Sequence, residues 1–281
     1  MCRALGVARS GVRAAPRIKG EEERRLIARL HEIKRKHPRY GSPRVTALLR
    51  AEGWRVNHKR VERLMRQEGL NVKHKPRKRR RLGCSANAAV RRRAERPNEV
   101  WSWDFTFDRT EDGRALKWLG VVDEFTRENL VLEVGRGFTA QAVVEQVAGV
   151  IARRGAPAHI RSDNGPEFIA TALRRWMEEQ AVGALYIEPG SPWENPYIES
   201  FNGKLKDELI KGELFTSLLE AQVLTAQWRE DYNRRRPHSA LGYLTPEQFA
   251  RRWGVESSGL RPSSPTPHRP KPSLTLIATG P

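Results

Sequence analysis

The chain has 281 residues, with 52 Lys and Arg against 33 Asp and Glu, a formal net charge of +19 and a pI near 10.7. Hydrophobic residues make up 38% of the chain, which is enough for a buried core and excludes wholesale disorder. No stretch approaches the roughly 18 uncharged apolar residues of a membrane-spanning helix. Two isolated cysteines, Cys2 and Cys84, exclude a disulfide framework and a Cys-based zinc site, and indicate a reducing, intracellular setting.

The positive charge is concentrated in the first third of the chain. Residues 1–100 hold 30 Lys and Arg, nine Glu and no Asp, a net charge of +21, which leaves 22 basic and 24 acidic residues in 101–281. A basic block of this kind favours a polyanionic partner. Because the sequence offers no membrane-spanning segment and a poor signal peptide, nucleic acid is the favoured partner and a membrane is not.

Three consecutive helices are predicted between residues 21 and 69, after an N-terminal segment of 20 residues. Ser42 is the expected cap of the second helix and Asn57 that of the third, which ends at Gly69. The outer face of the third helix is basic and carries Lys59, Arg60, Arg63 and Arg66. This pattern favours a helix-turn-helix domain over residues 21–70, whose third helix enters the major groove of DNA. The alternative is a small helical bundle with a solvated basic face.

A basic segment follows over residues 71–97. Its densest part reads KHKPRKRRR, with seven Lys and Arg in nine residues, and is too highly charged to form a core. We expect a linker between two folded units that also contacts DNA phosphates, through Lys75, Arg77, Lys78, Arg79, Arg80 and Arg81.

Residues 98–252 change in character and predict an α/β domain. A strand is predicted over residues 100–108, because residues 101–108 alternate strictly between aromatic and polar side chains. Further strands are predicted over 116–123, 129–134, 158–162 and 184–187, and helices over 139–154, 166–181, 197–210 and 219–235. The order β-β-β-α-β-α-β-α predicts a mixed five-stranded sheet with helices, and the Pro/Ser-rich residues 253–281 are predicted to be disordered.

Three acidic residues stand out by their context. Asp104 lies within the first strand, Asp163 follows the fourth strand in the turn SDNG, and Glu199 lies in the first turn of a helix. Each also has an ordinary explanation, as an edge-strand, turn or helix-terminal residue. Because the first and fourth strands can lie side by side with the last helix packed across them, we expect the three carboxylates to converge. Converging carboxylates need cations between them, and hard oxygen ligands favour Mg²⁺ or Mn²⁺.

The spacing of these acids, with 35 residues between the second and the third, resembles the Asp-Asp-35-Glu motif of the retroviral-integrase superfamily, whose core is ribonuclease-H-like. Six ordered motifs within residues 2–250 narrow the resemblance. They are similar to those of the second-reading-frame protein, OrfB, of the insertion-sequence-three family of transposases: HPRYGSPRVTALLRAEGWRVNHKRVERLMRQEGL, WSWDFTFD, VVDEFTRENL, IRSDNGPEF, NPYIESFNGKLKDEL and YNRRRPHSALGYLTPEQF.

The resemblance implies that Asp104, Asp163 and Glu199 are catalytic residues that hold two metal ions, Mg²⁺ or Mn²⁺, and that Lys206 contacts the transposon end. Lys206 follows Glu199 by seven residues, or two helical turns, so both share one helix face with Asn202. Without the resemblance, an ordinary exposed lysine explains position 206 as well. His238 has no partner at metal-ligand spacing, and we interpret it as structural.

The resemblance also implies the partners. They are double-stranded DNA at the transposon ends and at the target, further copies of this chain on that DNA, and the family's upstream-frame protein. Because the sequence begins like the second frame, we expect activity as a frameshift fusion with the upstream product. The corresponding location is the bacterial cytoplasm, on the nucleoid.

We therefore expect a DDE-type transposase, a polynucleotidyl transferase that cleaves one strand at the element's end and joins the freed 3'-hydroxyl to another phosphodiester. Two alternatives stay open at this point. One is a catalytically inert DNA-binding regulator derived from a transposase, and the other is a ribonuclease-H-like nuclease that acts on hybrids or junctions.

Overall fold

The computed structural model describes residues 20–72, 93–162, 171–186 and 195–258. The carboxylate of Asp163 lies outside these residues, and so do the basic linker residues Lys75, Arg77, Lys78, Arg79, Arg80 and Arg81. Within the described residues the chain forms an N-terminal helical unit and an α/β unit.

The N-terminal unit consists of helices α1 (Glu21–Lys36), α2 (Ser42–Ala51) and α3 (His58–Gln67). Asn57 caps α3 as predicted, because its side chain accepts a hydrogen bond from the backbone N–H of Lys59. The predicted cap of α2 is wrong: Gly41 is the N-cap and Ser42 is the first helical residue. The hydroxyl of Ser42 instead lies 3.1 Å from Nε2 of His58. The three helices enclose an apolar core that includes Leu26, Leu30, Val45, Leu49, Val61, Leu64 and Met65.

A mixed five-stranded sheet forms the centre of the α/β unit, as predicted. Its strands are β1 (Val100–Arg109), β2 (Ala115–Asp123), β3 (Asn129–Gly135), β4 (His159–Ser162) and β5 (Gly183–Tyr186). Over the described residues the order is β3-β2-β1-β4-β5. β2 pairs antiparallel with β1 and β3, whereas β4 pairs parallel with β1 and β5. β1 is therefore a central strand, and the predicted pairing of the first and fourth strands is confirmed.

Helices cover both faces of the sheet. One face is covered by α4 (Ala140–Arg154) and α5 (Thr171–Glu179), which pack against the aromatic side chains of β1. The other face is covered by α6 (Pro196–Glu208) and α7 (Leu218–Arg234). Because successive strand residues point to opposite faces, the polar side chains of β1 lie on the α6 side. The alternation in the sequence therefore separates an apolar face from the face that carries Asp104.

Helix α8 (Pro246–Ser258) extends further than the composition predicts. Residues 253–258 belong to this helix, although the sequence predicts disorder from residue 253. The physical reason is an aromatic cluster: the ring of Phe125 lies 5.6 Å from that of Phe249 and 4.8 Å from that of Trp253, edge to face with the latter. In the part of the chain that the structure describes, no helix is both long enough and apolar enough to span a membrane.

The N-terminal unit docks on α6 and α7 through polar and aromatic contacts. Tyr40 is 2% exposed, and the centre of its ring lies 5.9 Å from the guanidinium carbon of Arg236. His37 approaches Asp231 at 3.7 Å, and Arg39 approaches Asp207 at the same distance. The motifs HPRYG and YNRRRPH, far apart in the sequence, therefore meet at the junction of the two units.

Candidate catalytic site

Asp104 lies on the central strand, on the face that α6 covers. Its β1 neighbours on that face are Ser102 and Thr106, both fully buried, whereas Asp104 itself is half-buried. The aromatic residues between them, Trp101, Trp103 and Phe105, belong to the apolar core on the opposite face. A solvent-facing position on an edge strand, the ordinary explanation for this carboxylate, does not apply.

A glycine lets α6 approach the sheet closely beside Asp104. Gly120 on β2 pairs directly with Asp104. A Cβ at position 120 would lie 3.3 Å from the ring of Phe201, 3.5 Å from Ile198 and 3.6 Å from Oδ1 of Asn202. The first of these separations is tighter than ordinary van der Waals contact, so a side chain at position 120 would require the ring of Phe201 on α6 to move by a few tenths of an ångström.

Asn202 links Asp104 to α6, the helix that also carries the candidate carboxylate Glu199. The side-chain amide of Asn202, which is 7% exposed, donates a hydrogen bond of 2.8 Å to Oδ2 of Asp104. Oδ1 of the same carboxylate accepts a hydrogen bond of 2.7 Å from the backbone N–H of Phe105. Both carboxylate oxygens are therefore held in a defined orientation. The sequence placed Asn202 on the right helix face but assigned it no role, because the donor and acceptor are 98 residues apart.

Glu199 and Lys206 lie on the same side of α6 as Asn202. Glu199 precedes Asn202 by three residues and Lys206 follows it by four, spacings that place side chains next to each other on a helix surface. Both side chains are exposed. The structure therefore places Glu199 on the helix flank that contacts Asp104, with the cation of Lys206 two turns further along.

The third predicted carboxylate is Asp163, which lies outside the described residues. β4 ends at Ser162, and the parallel pairing of β1 and β4 matches Ser102 with Arg161. Among the described residues there is no cluster of three or more His, Cys, Asp or Glu side chains that could hold a metal ion. The convergence of all three acids accordingly stays a prediction.

A buried ion pair lies on the same face of the sheet, next to this site. Nε of Arg161 on β4 lies 2.8 Å from Oε1 of Glu124, and the two side chains are 8% and 0% exposed. The hydroxyl of Ser102 on β1 also donates to Glu124. The pair therefore connects the end of β2 to β4 across the central strand.

The predicted DNA-contacting residues of α3 lie at the surface, but three of them have carboxylate neighbours. Arg60 lies 3.4 Å from Glu22 and Arg63 lies 3.1 Å from Glu23, both in the acidic first turn of α1. Arg66 lies 3.3 Å from Glu62 within α3, and Lys59 is exposed. Surface pairs of this kind are weak, about 0–1 kcal/mol, so phosphate groups can replace these carboxylates.

His238 lies inside the structure. It is 6% exposed, its Nε2 lies 3.4 Å from Nη1 of Arg236, and its ring packs edge-on against Tyr232 at 4.8 Å. Burial, followed by the charge of Arg236, lowers the pKa of His238 to about 2, so the ring is neutral at physiological pH.

Three models of known families match the chain. An HTH-like domain matches residues 21–80, and two integrase core domain models match residues 94–192 and 180–246. The matched ranges fall on the N-terminal helical unit and on the α/β unit with its C-terminal helices.

Two curated relatives match nearly the whole chain. The insertion element IS407 uncharacterized 31.7 kDa protein of Burkholderia multivorans is 41% identical over 264 residues, which cover 89% of this chain and 88% of the relative. The transposase InsF for insertion sequence IS3A of Escherichia coli is 30% identical over 269 residues, which cover 89% of this chain and 92% of the relative.

A similar fold occurs in a solved structure. The simian T-cell lymphotropic virus intasome, determined by cryo-electron microscopy in complex with the PP2A regulatory subunit B56 gamma, matches with a TM-score of 0.50 and 18% identity. The match covers 90% of this chain and 80% of that chain. The α/β unit therefore has the ribonuclease-H-like fold of an integrase core.

Proposed function

The chain belongs to the insertion-sequence transposases with an integrase core, and from this membership we propose that it cleaves and joins DNA strands at the ends of an insertion sequence. The products of the two steps are a freed 3'-hydroxyl and a new phosphodiester. The observation that carries the proposal is the hydrogen bond from Asn202 to Asp104, because it ties one candidate carboxylate to the helix that bears another, Glu199.

The proposed catalytic residues are Asp104, Asp163 and Glu199. The argument for Asp163 is one of register: Ser102 pairs with Arg161, and Asp104 and Asp163 each follow two residues later in their own segments. A continuation of the same parallel register would match the two carboxylates. Glu199 is supported by its position three residues before Asn202 on α6.

The donor set suits two Mg²⁺ or Mn²⁺ ions. Carboxylate oxygens are the ligands that these hard cations prefer, and Asp104 is already oriented by Asn202 and by the N–H of Phe105. When bound, such ions would offset the negative charge that develops on the attacking and leaving oxygens of phosphoryl transfer. The protein's own part is to orient the carboxylates and to hold the DNA, and no side chain needs to form a covalent bond with it.

The DNA is proposed to be held on both sides of this site. Lys206 lies one turn beyond Asn202 and would hold a phosphate of the transposon end. The basic residues of α3, together with the linker residues 75–81, would hold further phosphates. We also propose that the chain works as a homo-oligomer on double-stranded DNA, since two ends must be joined, and as a fusion with the upstream-frame protein.

The test is a cleavage assay with a labelled insertion-sequence end and Mg²⁺. We expect Asp104→Asn, Asp163→Asn and Glu199→Gln each to lower the cleavage rate by about 10³-fold or more, while DNA binding is retained. Asp108→Asn is the matched control, because Asp108 is a half-buried carboxylate on the same face of β1. Normal cleavage by one of the three variants would remove that residue from the site. Binding without Mg²⁺-dependent cleavage, both by the wild-type chain and by its fusion with the upstream-frame protein, would favour an inert regulator.

Asn202 is proposed as a positioning residue. Asn202→Ala should lower cleavage by about 10–100-fold and raise the Mg²⁺ concentration needed for half-maximal activity, as expected when a partner that orients a metal ligand is lost. A merely structural asparagine would lower the melting temperature without a shift in the metal dependence. An unchanged Mg²⁺ titration would therefore contradict the positioning role.

A further inference from the structure

A cationic cavity lies where the N-terminal helical unit meets the core. We call it the junction pocket, and its volume is about 290 Å³. Among the described residues its wall brings together α2, the turn between β2 and β3, α6 and the segment after α7, and four of its side chains are cations: Arg44, Arg127, Lys204 and Arg236. The pocket is distinct from the flank of α6 that carries Glu199.

One carboxylate, Glu208, balances part of this charge. It receives hydrogen bonds from Arg236, whose Nε lies 2.8 Å from Oε2 and whose side chain is 1% exposed. Nη1 of Arg44 lies 3.7 Å from Oε1 of the same carboxylate. Burial by itself would lower the pKa of Arg236, but Glu208 raises it, so this arginine stays charged. Glu208 is therefore engaged by the two arginines.

The other two cations of the junction pocket are bonded to neutral oxygens. Nζ of Lys204 donates to the backbone oxygen and the hydroxyl of Ser200, at 2.8 and 2.6 Å. Arg127 donates to the backbone oxygen of Glu124 and stacks on the ring of Tyr197 at 3.9 Å. Within the described parts of the chain, neither cation forms an ion pair. Among the described residues Glu208 is the one carboxylate that forms an ion pair with any of the four cations, so the pocket carries an excess positive charge that an anion would offset.

The backbone conformation of Arg127 is unusual for a residue that is not glycine. Its φ is +63°, in the left-handed region, where a non-glycine residue is strained by roughly 1 kcal/mol or more. Glycine would relieve the strain, yet the position carries an arginine that lies on Tyr197 and lines the pocket. The strained turn thus presents a guanidinium to the cavity.

The position of the pocket on α6 determines what could bind there. Tyr197, Ser200 and Lys204 line the pocket and are spaced three and four residues apart, so they form one face of α6. Glu199, Asn202 and Lys206 form another face. A helix is about 10–12 Å across with its side chains, so an anion in the pocket would lie one helix width from the candidate carboxylates.

We propose that the junction pocket binds a phosphodiester of the DNA backbone, a short distance along the DNA from the phosphodiester at the candidate catalytic carboxylates. The inference rests on the proposed function only in that the ligand is DNA. The volume lies near the lower end of ligand pockets, roughly 300 Å³, and suits a single backbone unit better than a base pair. Because Arg44 comes from the N-terminal unit and Lys204 from α6, one phosphate would bridge the two units.

The state of Lys204 agrees with an anion site. Burial, followed by the charges of Arg236 and Arg44, lowers the pKa of Lys204 to about 8. The charged form of this ammonium group is therefore destabilised when no anion is bound. Removal of the charge should relieve repulsion in the free protein, so its loss should not destabilise the fold.

The experiment measures binding of a short labelled DNA duplex by the full chain that carries Asp104→Asn, so that cleavage does not interfere. We expect Lys204→Gln to weaken binding about tenfold and to reduce the slope of log affinity against log salt by about one unit, as for a lost phosphate contact. The melting temperature should stay the same or rise. Arg127→Gln should give a similar loss of affinity. The matched control is Arg153→Gln, an exposed arginine on α4 at the opposite face of the sheet.

The outcomes separate this proposal from the proposed function. Unchanged binding by both pocket variants, or an equal loss in Arg153→Gln, would overturn the junction pocket as a phosphate site. Absence of any DNA binding by the unsubstituted chain would overturn it too. If Lys204→Gln weakens binding as expected but neither the chain without Asp104→Asn nor its fusion with the upstream-frame protein cleaves a strand, the pocket stands and the catalytic proposal fails.

Discussion

Two basic surfaces of this chain balance their charge in different ways. On α3, Arg60 and Arg63 face carboxylates in the first turn of α1 and are open to solvent. In the junction pocket, Lys204 and Arg127 are bonded to neutral oxygens and lie partly out of water. The first surface is balanced in the free protein, whereas the second gains most from an anion. The number of cations in a segment therefore indicates a polyanionic partner, but the local charge balance indicates where a phosphate is needed.

The largest expected effect concerns the carboxylate that partly balances the pocket. Glu208→Ala should lower the free energy of unfolding by about 3–5 kcal/mol, because it leaves the buried guanidinium of Arg236 without its partner. Urea unfolding measures the change. Glu22→Ala is the comparison on α3 and should cost less than about 1 kcal/mol, since that pair is exposed. If the two substitutions lowered the free energy of unfolding equally, the carboxylate of the junction pocket would be no more tightly engaged than the one at the α3 surface.

The next effect is a pH dependence of DNA binding. The pKa of Lys204 is about 8 in the folded chain, below the 10.5 of an ordinary lysine. As pH rises past 8 the free pocket loses this charge, so affinity for a DNA duplex should fall, and Lys204→Arg should flatten the profile. The charged groups that face Lys204 are Arg236, Arg44, Glu208 and Arg127, and the neutral ring of His238 faces it as well.

The same shift has a consequence for stability with the opposite sign. Between pH 8 and 10.5 the unfolded chain binds more protons at Lys204 than the folded chain does, so this residue's contribution to stability increases as pH rises through that window. Thermal melts of the wild type and of Lys204→Gln across this range measure the change in stability.

The DNA-binding prediction has its own contradicting outcome. A wild-type affinity for DNA that stays constant through pH 8 would contradict the assignment of Lys204 to a phosphate.

The smallest effect is expected on α3. Glu23→Gln should raise the affinity for DNA by about twofold to fivefold, because it removes a carboxylate that competes with phosphate for Arg63, and the pair itself is worth only about 0–1 kcal/mol. The free energy of unfolding should change by less than about 1 kcal/mol. A salt titration of binding measures the gain, and a loss of affinity in Glu23→Gln would contradict the view that this carboxylate is exchanged for phosphate.

Some features of the fold follow from sequence pattern because their causes are local. Successive residues of a strand point to opposite faces of the sheet, so the alternation in β1 is enough to place Trp103 on one face and Asp104 on the other. Asn57 caps α3 because its side chain reaches a backbone N–H two residues on. Ser42 has the same capping preference, yet Gly41 takes the position at α2 and the serine hydroxyl meets His58 instead. The hydroxyl of Ser42 thus contacts a residue 16 positions away in the sequence and does not cap its own helix.

The C-terminal helix α8 shows a second limit of prediction from sequence pattern. The composition after residue 252 predicts disorder, but Trp253 lies on Phe125 and α8 continues to Ser258. Phe125 belongs to the turn between β2 and β3, so no local feature of the tail could reveal the contact. Packing against a distant element offsets the weak helical signal of these residues.

By itself the sequence determined the charge division, the three N-terminal helices, the mixed sheet and the resemblance to a transposase family, since these depend on composition, periodicity and short ordered motifs. The tertiary structure decided the hydrogen bond between Asn202 and Asp104 and the assembly of the junction pocket. Both join residues that are far apart in the chain, and their meeting depends on how closely α6 packs on the sheet beside Gly120 and on how the helical unit docks through Tyr40. Contacts of that kind are set by packing distances and angles between elements, which no local pattern contains.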